Sequence, residues 1–506
     1  MFNCLDKFLD KITIYRLVLY YLGGLLAVAI VLSATGIMQY NPLEIIVSTL
    51  FLAVVCWIVN KEFSYVVNTP ANSESWLITA LILALIITPR VSFLGLMFTI
   101  AAAGLAMASK YVLTIKNTHI FNPVAIAVVL TALGPRQVAS WWVGTAVLLP
   151  FVVIGGVLLV QKIRRWQMVG TFLITTFAAT VIYTLLDHGN VLDSLLQAAL
   201  TSPVFFIGFI MLTEPVTSPS TRGKQTWYAV LVGALLPPQV HIFGLYSTPE
   251  LSLVIGNVFS AIVSPKARVF PVLKEKLRLT ANTIDFVFSL DKKLSYQAGQ
   301  YMEWTLPHKG VDSRGNRRYF TLASSPTESD LHLGVKFYDE GSSYKKALLT
   351  VNQGTHIVAA QVAGDFTLPK NPRKKLVFIA GGIGVTPFRS MLKYLLDKNE
   401  TRDIVLLYMA NSLGELAYKD VLEVAHKQLG VKVKYIVANL EKDSPDDSMR
   451  PGLIDAKSIK QLIPDYHERI FYLSGSHTMV TSVQANLAEL KVTKRRIKID
   501  YFPGYQ

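Results

Sequence analysis

The residues with the clearest chemical purpose form the run Arg318-Tyr319-Phe320-Thr321 within RRYFTLASSP. A guanidinium can grip a pyrophosphate through two parallel hydrogen bonds, an aromatic ring can cover a flat heterocycle such as isoalloxazine, and a hydroxyl can reach its central nitrogen. Tyr and Phe on a strand are more often plain core, so the run gains weight only from its company. Gly341-Ser342-Ser343-Tyr344-Lys345 reads as a serine-capped helix start that offers backbone N–H groups to an anion, or as an ordinary cap. The strand KLVFIAGG runs straight into Gly381-Gly382-Ile383-Gly384-Val385-Thr386-Pro387 and a helix. Glycines at such a turn let the backbone approach a dinucleotide pyrophosphate at the helix N-terminus. Leu473-Ser474-Gly475-Ser476-His477-Thr478-Met479 follows at the tip of a later strand.

Three kinds of architecture are needed to carry these runs and what precedes them. LRLTANTIDFVFSL, QYMEWTLP, RRYFTLASS and LHLGVKFY alternate as strands and predict a small antiparallel β-barrel over residues 266–370. Residues 371–506 alternate strand with helix and predict an α/β doubly wound parallel sheet. Residues 1–265 differ in kind, holding only 13 of the 49 Lys/Arg and 9 of the 34 Asp/Glu. They contain ten apolar segments, at 16–37, 43–60, 75–89, 92–109, 121–134, 140–160, 167–186, 192–213, 225–243 and 248–264, and predict a polytopic α-helical membrane domain of about ten helices. The segments at 75–89 and 121–134 are short and Pro-flanked, as broken helices lining an interior site are. The stretches 117–135 and 246–265 echo one another weakly, as the two halves of an inverted repeat do.

Lys and Arg between the segments favour one side. With the N-terminus inside, the inner loops hold Lys61, Lys110, Lys162, Arg164, Arg165 and Arg222 among others, and the outer loops only Arg90 and Arg136. This predicts a multi-pass protein of the cell membrane with its N-terminus and soluble half in the cytoplasm, and reads MFNCLDKFLDKITIYR as a lead-in helix, not a removed signal. Polar groups at membrane depth cluster in Asn72-Ser73-Glu74-Ser75, His119-Ile120-Phe121-Asn122-Pro123 and Thr213-Glu214-Pro215-Val216-Thr217-Ser218-Pro219, the last followed by Thr221-Arg222. They suit a flavin phosphate or ring edge, or cap helices at the cytoplasmic surface.

Residues 268–506 resemble the ferredoxin-NADP reductase superfamily. The resemblance implies that Arg318, Phe320 and Thr321 hold FAD, with Tyr319 beside them, that Ser342 and Ser343 cap its pyrophosphate, and that Gly381, Gly382, Gly384, Thr386, Pro387 and Ser474 contact NADH or NADPH. It further implies that Gly475 to Met479 lies over the nicotinamide, so that Thr321, Gly475 and Met479 stand nearest the reacting atoms. Asn411 and Ser412 after the second sheet strand lean towards NADH, there being no positive charge for a 2'-phosphate. The terminal Asp500-Tyr501-Phe502-Pro503-Gly504-Tyr505 places an aromatic against the flavin, or packs as a last strand.

Residues 40–265 resemble the B subunit of sodium-pumping NADH:quinone reductase and the D subunit of the Rnf complex, with Glu214 where that family has Asp. The resemblance implies an FMN held by Asn122, Glu214, Thr217, Ser218 and Arg222. The Ser-Gly-Ala-Thr-like stretch that carries the covalent flavin of relatives is missing between the fifth and sixth segments, so the FMN is expected to be non-covalent.

These readings predict electron transfer from NAD(P)H through FAD into the lipid bilayer, and on to a quinone or extracytoplasmic acceptor. With two cysteines, Cys4 and Cys56, neither a disulfide framework nor a four-thiolate iron-sulfur site can form, so any cluster is expected from a flavin- or metal-carrying partner protein. A haem ferric reductase or NADPH-oxidase type would need paired membrane histidines, and only His119, His188 and His241 occur there. The net charge of +15 shows no basic stripe or aromatic platform, which argues against nucleic acid. An inverted-repeat channel or carrier with the reductase as redox sensor stays open.

Overall fold

The computed structural model describes residues 9, 12–66, 73–134, 137–242, 244–312, 314–439 and 449–502. Most of the lead-in helix, Asn72, Arg136 and the tail from Pro503 lie outside them, as do the side chains of Tyr501 and Phe502. The chain divides into two compact units, Met1–Arg268 and Val269–Gln506.

The first unit is helical. Its elements run α1 (Ile14–Ala34), α2 (Pro42–Val66), α3 (Ser73–Ile86), α4 (Phe93–Val112), a hairpin of β1 (Thr114–Ile115) and β2 (Thr118–His119), and α5 (Pro123–Leu133). Then follow α6 (Leu149–Ile163), α7 (Trp166–Leu186), α8 (Val191–Leu200), α9 (Val204–Phe206) continuing into a π-turn over Ile207–Met211, α10 (Arg222–Leu235), a hairpin of β3 (His241–Ile242) and β4 (Leu245–Tyr246), and α11 (Pro249–Val263). Four of these helices, α1, α2, α4 and α7, are long and apolar enough to cross a membrane, or five if the bent pair α8 and α9 is one span. Their apolar side chains face outward, Leu43, Val54, Ile174 and Ile182 among them, whereas every residue from Ala80 to Ile87 is buried. Apolar outside with the short helices inside is the reverse of a water-soluble bundle.

Every apolar segment of the sequence carries a helix, but three differ from the expected spans. The segment 192–213 breaks at Thr201-Ser202-Pro203 and bends by 54°, because Pro203 has no N–H to continue the ladder. Residues 140–148 stay outside the helix expected at 140–160; the Trp141 N–H is bonded to the Ile86 carbonyl, and the Trp142 indole to those of Ala84 and Ile87. That segment satisfies the C-terminus of α3, which would otherwise be orphaned. Helix α10 ends at Leu235, ahead of Pro237.

The order of elements also repeats. A two-residue hairpin precedes a helix whose first residue is Pro, once as β1-β2-α5 and again as β3-β4-α11. Asn122 caps the first through the N–H groups of Val124 and Ala125, and Thr248 caps the second through that of Leu251.

In the second unit, β5 (Val272–Thr280), β6 (Thr283–Ser289), β7 (Tyr301–Thr305), β8 (Arg317–Thr321), β9 (Leu331–Lys336), α12 (Ser343–Thr350) and β10 (Val358–Ala363) come first. They pair as two antiparallel three-stranded sheets, β5-β6-β9 and β10-β7-β8, around Phe286, Phe288, Trp304 and Tyr344. After them come β11 (Leu376–Gly381), α13 (Thr386–Lys398), β12 (Ile404–Ala410), α14 (Lys419–Leu429), β13 (Lys432–Val437), β14 (Met449–Pro451), α15 (Ala456–Leu462), β15 (Ile470–Ser476), α16 (His477–Glu489) and β16 (Ile497–Phe502). They build a parallel sheet in the order β14-β13-β12-β11-β15-β16. Phe378 packs on one face against Phe388 and Tyr408, while Val377 and Ile379 pack on the other against Phe471 and Val480. Burial on both faces explains why LVFIAG carries no polar alternation.

Candidate functional site

Strand β8 and helix α12 bring the first motif together. Arg318 is buried, its Nη1 donates to the carbonyls of Arg314, Gly315 and Arg317, and its guanidinium lies 5.1 Å from the Tyr344 ring. Phe320, on the same face of the strand, is 6.0 Å from Tyr344, while Tyr319 is exposed on the opposite face with its ring edge against Tyr301. Ser342 caps α12 by accepting the Lys345 N–H. Burial, then the guanidiniums of Arg318 and Arg314, pull the Lys345 ammonium down to about 8. Three cationic side chains beside a helix start form a donor set that fits a pyrophosphate.

The other end of β8 meets the parallel sheet. Thr321 Oγ1 donates to Asp500 Oδ2 at 3.2 Å. Asp500 on β16 pairs with Ser474 on β15, which in turn pairs with Ala380 on β11, one residue before the glycine turn. Gly382 has φ +54°, which only glycine adopts without strain, and a Cβ on Gly384 would stand 2.6 Å from the Gly475 nitrogen. A Cβ on Gly475 would lie 3.2 Å from Met479 Sδ and 3.3 Å from Gly381 Cα. Thr386 donates to the Ile383 carbonyl and Pro387 opens α13, so the turn is locked. Ser474 Oγ is buried with no hydrogen-bond partner among the described residues, an acceptor and donor left for a ligand group. Thr321, Ser474, Gly475, Met479 and the Gly381–Gly384 turn therefore lie together at the adjoining ends of β8, β16, β15 and β11.

Sequence reading named Asp500 only as the start of an aromatic tail. Burial pushes its carboxyl up to about 6 against the opposing Thr321 bond. A carboxylate after the second sheet strand was missed as well: Glu415 is 3.0 Å from Lys336 Nζ and accepts from Asn411 Nδ2 at 3.4 Å. Only the spacing after LLYMA could have pointed to it.

The first unit holds a separate polar network. Glu214 Oε2 accepts from Asn122 Nδ2 at 2.8 Å and Thr217 Oγ1 at 2.9 Å, and Glu214 Oε1 lies 3.9 Å from His119 Nε2. The Asn122 N–H donates to Asn257 Oδ1 at 2.8 Å, and Asn257 Nδ2 donates to the Tyr228 hydroxyl at 3.1 Å. Ser218 is buried next to them and accepts from Arg165, which also donates to the Thr213 carbonyl at 2.9 Å. Lys266 donates to the carbonyls of Pro215, Val216 and Ser218. Arg222, by contrast, stands exposed at the start of α10. Four of the five sequence-named residues thus converge, while Asn257, Tyr228, Arg165 and Lys266 were not foreseen. Asn257 sits inside the 246–265 echo, which was the available signal.

Comparison with known families places these two sites. Residues 142–265 match the NQR2, RnfD, RnfE family, residues 271–367 an oxidoreductase FAD-binding domain, and residues 378–485 an oxidoreductase NAD-binding domain. The three matched segments follow one another in a single chain. Its second half is similar to the paired FAD- and NAD-binding domains of oxidoreductases. The membrane-family match starts at 142, whereas the sequence resemblance reached back to residue 40. Among curated relatives, the flavohemoprotein of Bacillus subtilis is 30% identical over 41% of this chain and 51% of its own length. The NADPH oxidoreductase of Mycobacterium tuberculosis is 29% identical over 37% of this chain and 46% of its own length. The flavohemoproteins of Halalkalibacterium halodurans and Oceanobacillus iheyensis are covered to 59%, so the chain spans about half the length of the curated relatives it matches. Among solved structures, the FAD/NAD-binding domain of nitric oxide dioxygenase from Vibrio cholerae is 25% identical over 46% of this chain and 98% of that one, with a TM-score of 0.41.

Proposed function

We propose that this protein is a membrane-bound NAD(P)H oxidoreductase that passes electrons from cytosolic reduced nicotinamide through FAD into its membrane half, and on to a quinone or an extracytoplasmic acceptor. The observation that carries the reading is the Thr321–Asp500 bond together with the pairing of β16, β15 and β11, which sets the end of β8 beside the Gly381–Gly384 turn. FAD bound there supplies the change from hydride to single electrons.

The residues do the rest. Arg318 and the α12 start would hold the pyrophosphate of FAD, Phe320 would lie against its ring, and the Thr321 hydroxyl, which donates to Asp500, would stand at the ring's side. Gly381, Gly382 and Gly384 let the nicotinamide nucleotide lie against the backbone, held by Thr386 and Pro387. Met479 and Gly475 close the far side against water. Glu415, which follows the second strand, would repel a 2'-phosphate on a ribose held there and so would favour NADH.

In the membrane half, a carboxylate at the centre of the network suits the N–H edge of a flavin ring better than its phosphate. Asn122, Glu214 and Thr217 would take the ring edge of a non-covalent FMN, and Arg165, Lys266 and Ser218 its phosphate. The helical unit lies in the cell membrane with about ten apolar segments, its N-terminus and the reductase module cytoplasmic, and the six strands β5 to β10 close as a barrel over 266–370 ahead of the nucleotide domain at 371–506. Flavin released by acid from the purified protein tests the reading: one FAD and one FMN per chain support it, and FAD alone removes the membrane flavin.

The repeat of hairpin and Pro-started helix favours a second reading, an inverted-repeat channel or carrier with the reductase as sensor. Solute uptake into vesicles that changes with NADH, without electrons reaching any acceptor, would select it.

A further inference from the structure

The loop between β7 and β8 crosses the start of α12, and its one carboxylate between His308 and Asn316 is turned into that start. Asp312 Oδ2 accepts the Ser343 N–H at 2.9 Å, and the Asp312 N–H donates to Ser343 Oγ at 3.0 Å. His308 Nε2 is also 3.0 Å from Ser343 Oγ. The same carboxylate takes Arg314 Nη2 at 3.0 Å, Arg314 Nε at 3.3 Å and the Arg314 N–H at 2.9 Å, and lies 3.9 Å from Arg318 Nη2. With the Lys345 N–H bonded to Ser342, two of the three N–H groups that open α12 are committed to the protein's own side chains. One carboxylate therefore holds the helix start and two guanidiniums, the donors a pyrophosphate needs.

We infer that Asp312 is an internal anion that competes with the FAD pyrophosphate for the α12 start and for Arg318, so that His308, Asp312 and Arg314 act as a strap that FAD displaces on binding. The inference rests on the reading of this cleft as the FAD site. Ser343 has one N–H, and it cannot serve a carboxylate and a phosphate oxygen together. Two anions within a few ångströms also repel, so the strap sets FAD affinity below what the cations alone would give. A carboxylate serving only as a cap for α12 has the opposite signature, because its removal would loosen the helix start and weaken FAD.

The test is FAD binding by full-length protein stripped of flavin, followed by quenching of flavin fluorescence at low and at high ionic strength. Asp312→Asn is expected to tighten FAD by roughly tenfold at low ionic strength, with a smaller gain in high salt, as for one like charge removed near a surface. Asp312→Ser keeps an acceptor for the Ser343 N–H and serves equally if the first variant does not fold. Equal or weaker FAD binding by both variants, with wild type binding FAD, overturns the strap. Arg318→Lys separates the two claims: it weakens FAD if the cleft is the FAD site, and an unchanged affinity sinks that reading whatever Asp312 does.

Discussion

Thr321 and Asp500 join the two motifs through a single hydrogen bond, and the acid of that pair titrates where it can be measured. An unfolded aspartate loses its proton near 3.8, whereas burial holds the proton on Asp500 up to about 6. The folded module then binds more protons than the unfolded chain across that window, so its stability falls as pH rises from about 4 to about 6 and is flat above. Asp500→Asn removes the fall, about 2–3 kcal/mol between the two ends, and thermal unfolding of the reductase transition at pH 4.5 and 7 checks it. Parallel pH curves for wild type and variant would refute the assignment. Glu415 is a second test of a single side chain. Glu415→Gln leaves Lys336 without its carboxylate partner and is predicted to shift the kcat/KM ratio towards NADPH by about tenfold, the order of one charge facing a phosphate. An unchanged ratio would move the specificity determinant elsewhere.

At the scale of elements, the glycine turn and β15 approach so closely that a methyl group has nowhere to go. A Cβ on Gly384 meets the backbone of Ser474 and Gly475, which cannot swing aside as a side chain would. Gly384→Ala is predicted to cost about 1–3 kcal/mol and to raise the KM for NADH, with denaturant unfolding and steady-state kinetics as the measurements. Retained stability with an unchanged KM would mean that β11 and β15 part freely. The reductase elements were legible in sequence because period-two strands, a capped helix and a glycine turn are each written within a dozen residues. Arg318, Ser342 and Gly381 to Gly384 were found on those local signals. Asp500 and Glu415 were not, since a carboxylate gains its meaning from strand order, which pairs β16 with β15 and is set by long-range packing. In the membrane half, hydropathy found where helices form but not where α8 bends into α9 or why Trp141 and Trp142 leave the helix to close α3. Those outcomes depend on which carbonyls are left unsatisfied by neighbours, and apolar runs do not carry that information.

The whole molecule joins a module similar to FAD- and NAD-binding oxidoreductase domains to an apolar helical body in one polypeptide. The reductase unit brings Thr321 and Asp500 to the strand beside the glycine turn, and the helical unit buries Asn122, Thr217 and Asn257 around a half-buried Glu214. Buried polar groups at membrane depth are costly and are kept where they hold a ligand or a charge carrier. Glu214→Gln keeps the shape and removes the charge, and leaves the reductase unit untouched. The most direct test is therefore anaerobic stopped-flow of the full-length protein and of Glu214→Gln in lipid nanodiscs, mixing NADH with a quinone and following flavin bleaching and quinone reduction together. Wild type is predicted to show fast FAD reduction followed by quinone reduction, and Glu214→Gln the same first phase with the second slowed by at least about tenfold, as for loss of one interaction at the transferring site. FAD bleaching in wild type with no electrons reaching quinone or any other membrane acceptor would contradict the account.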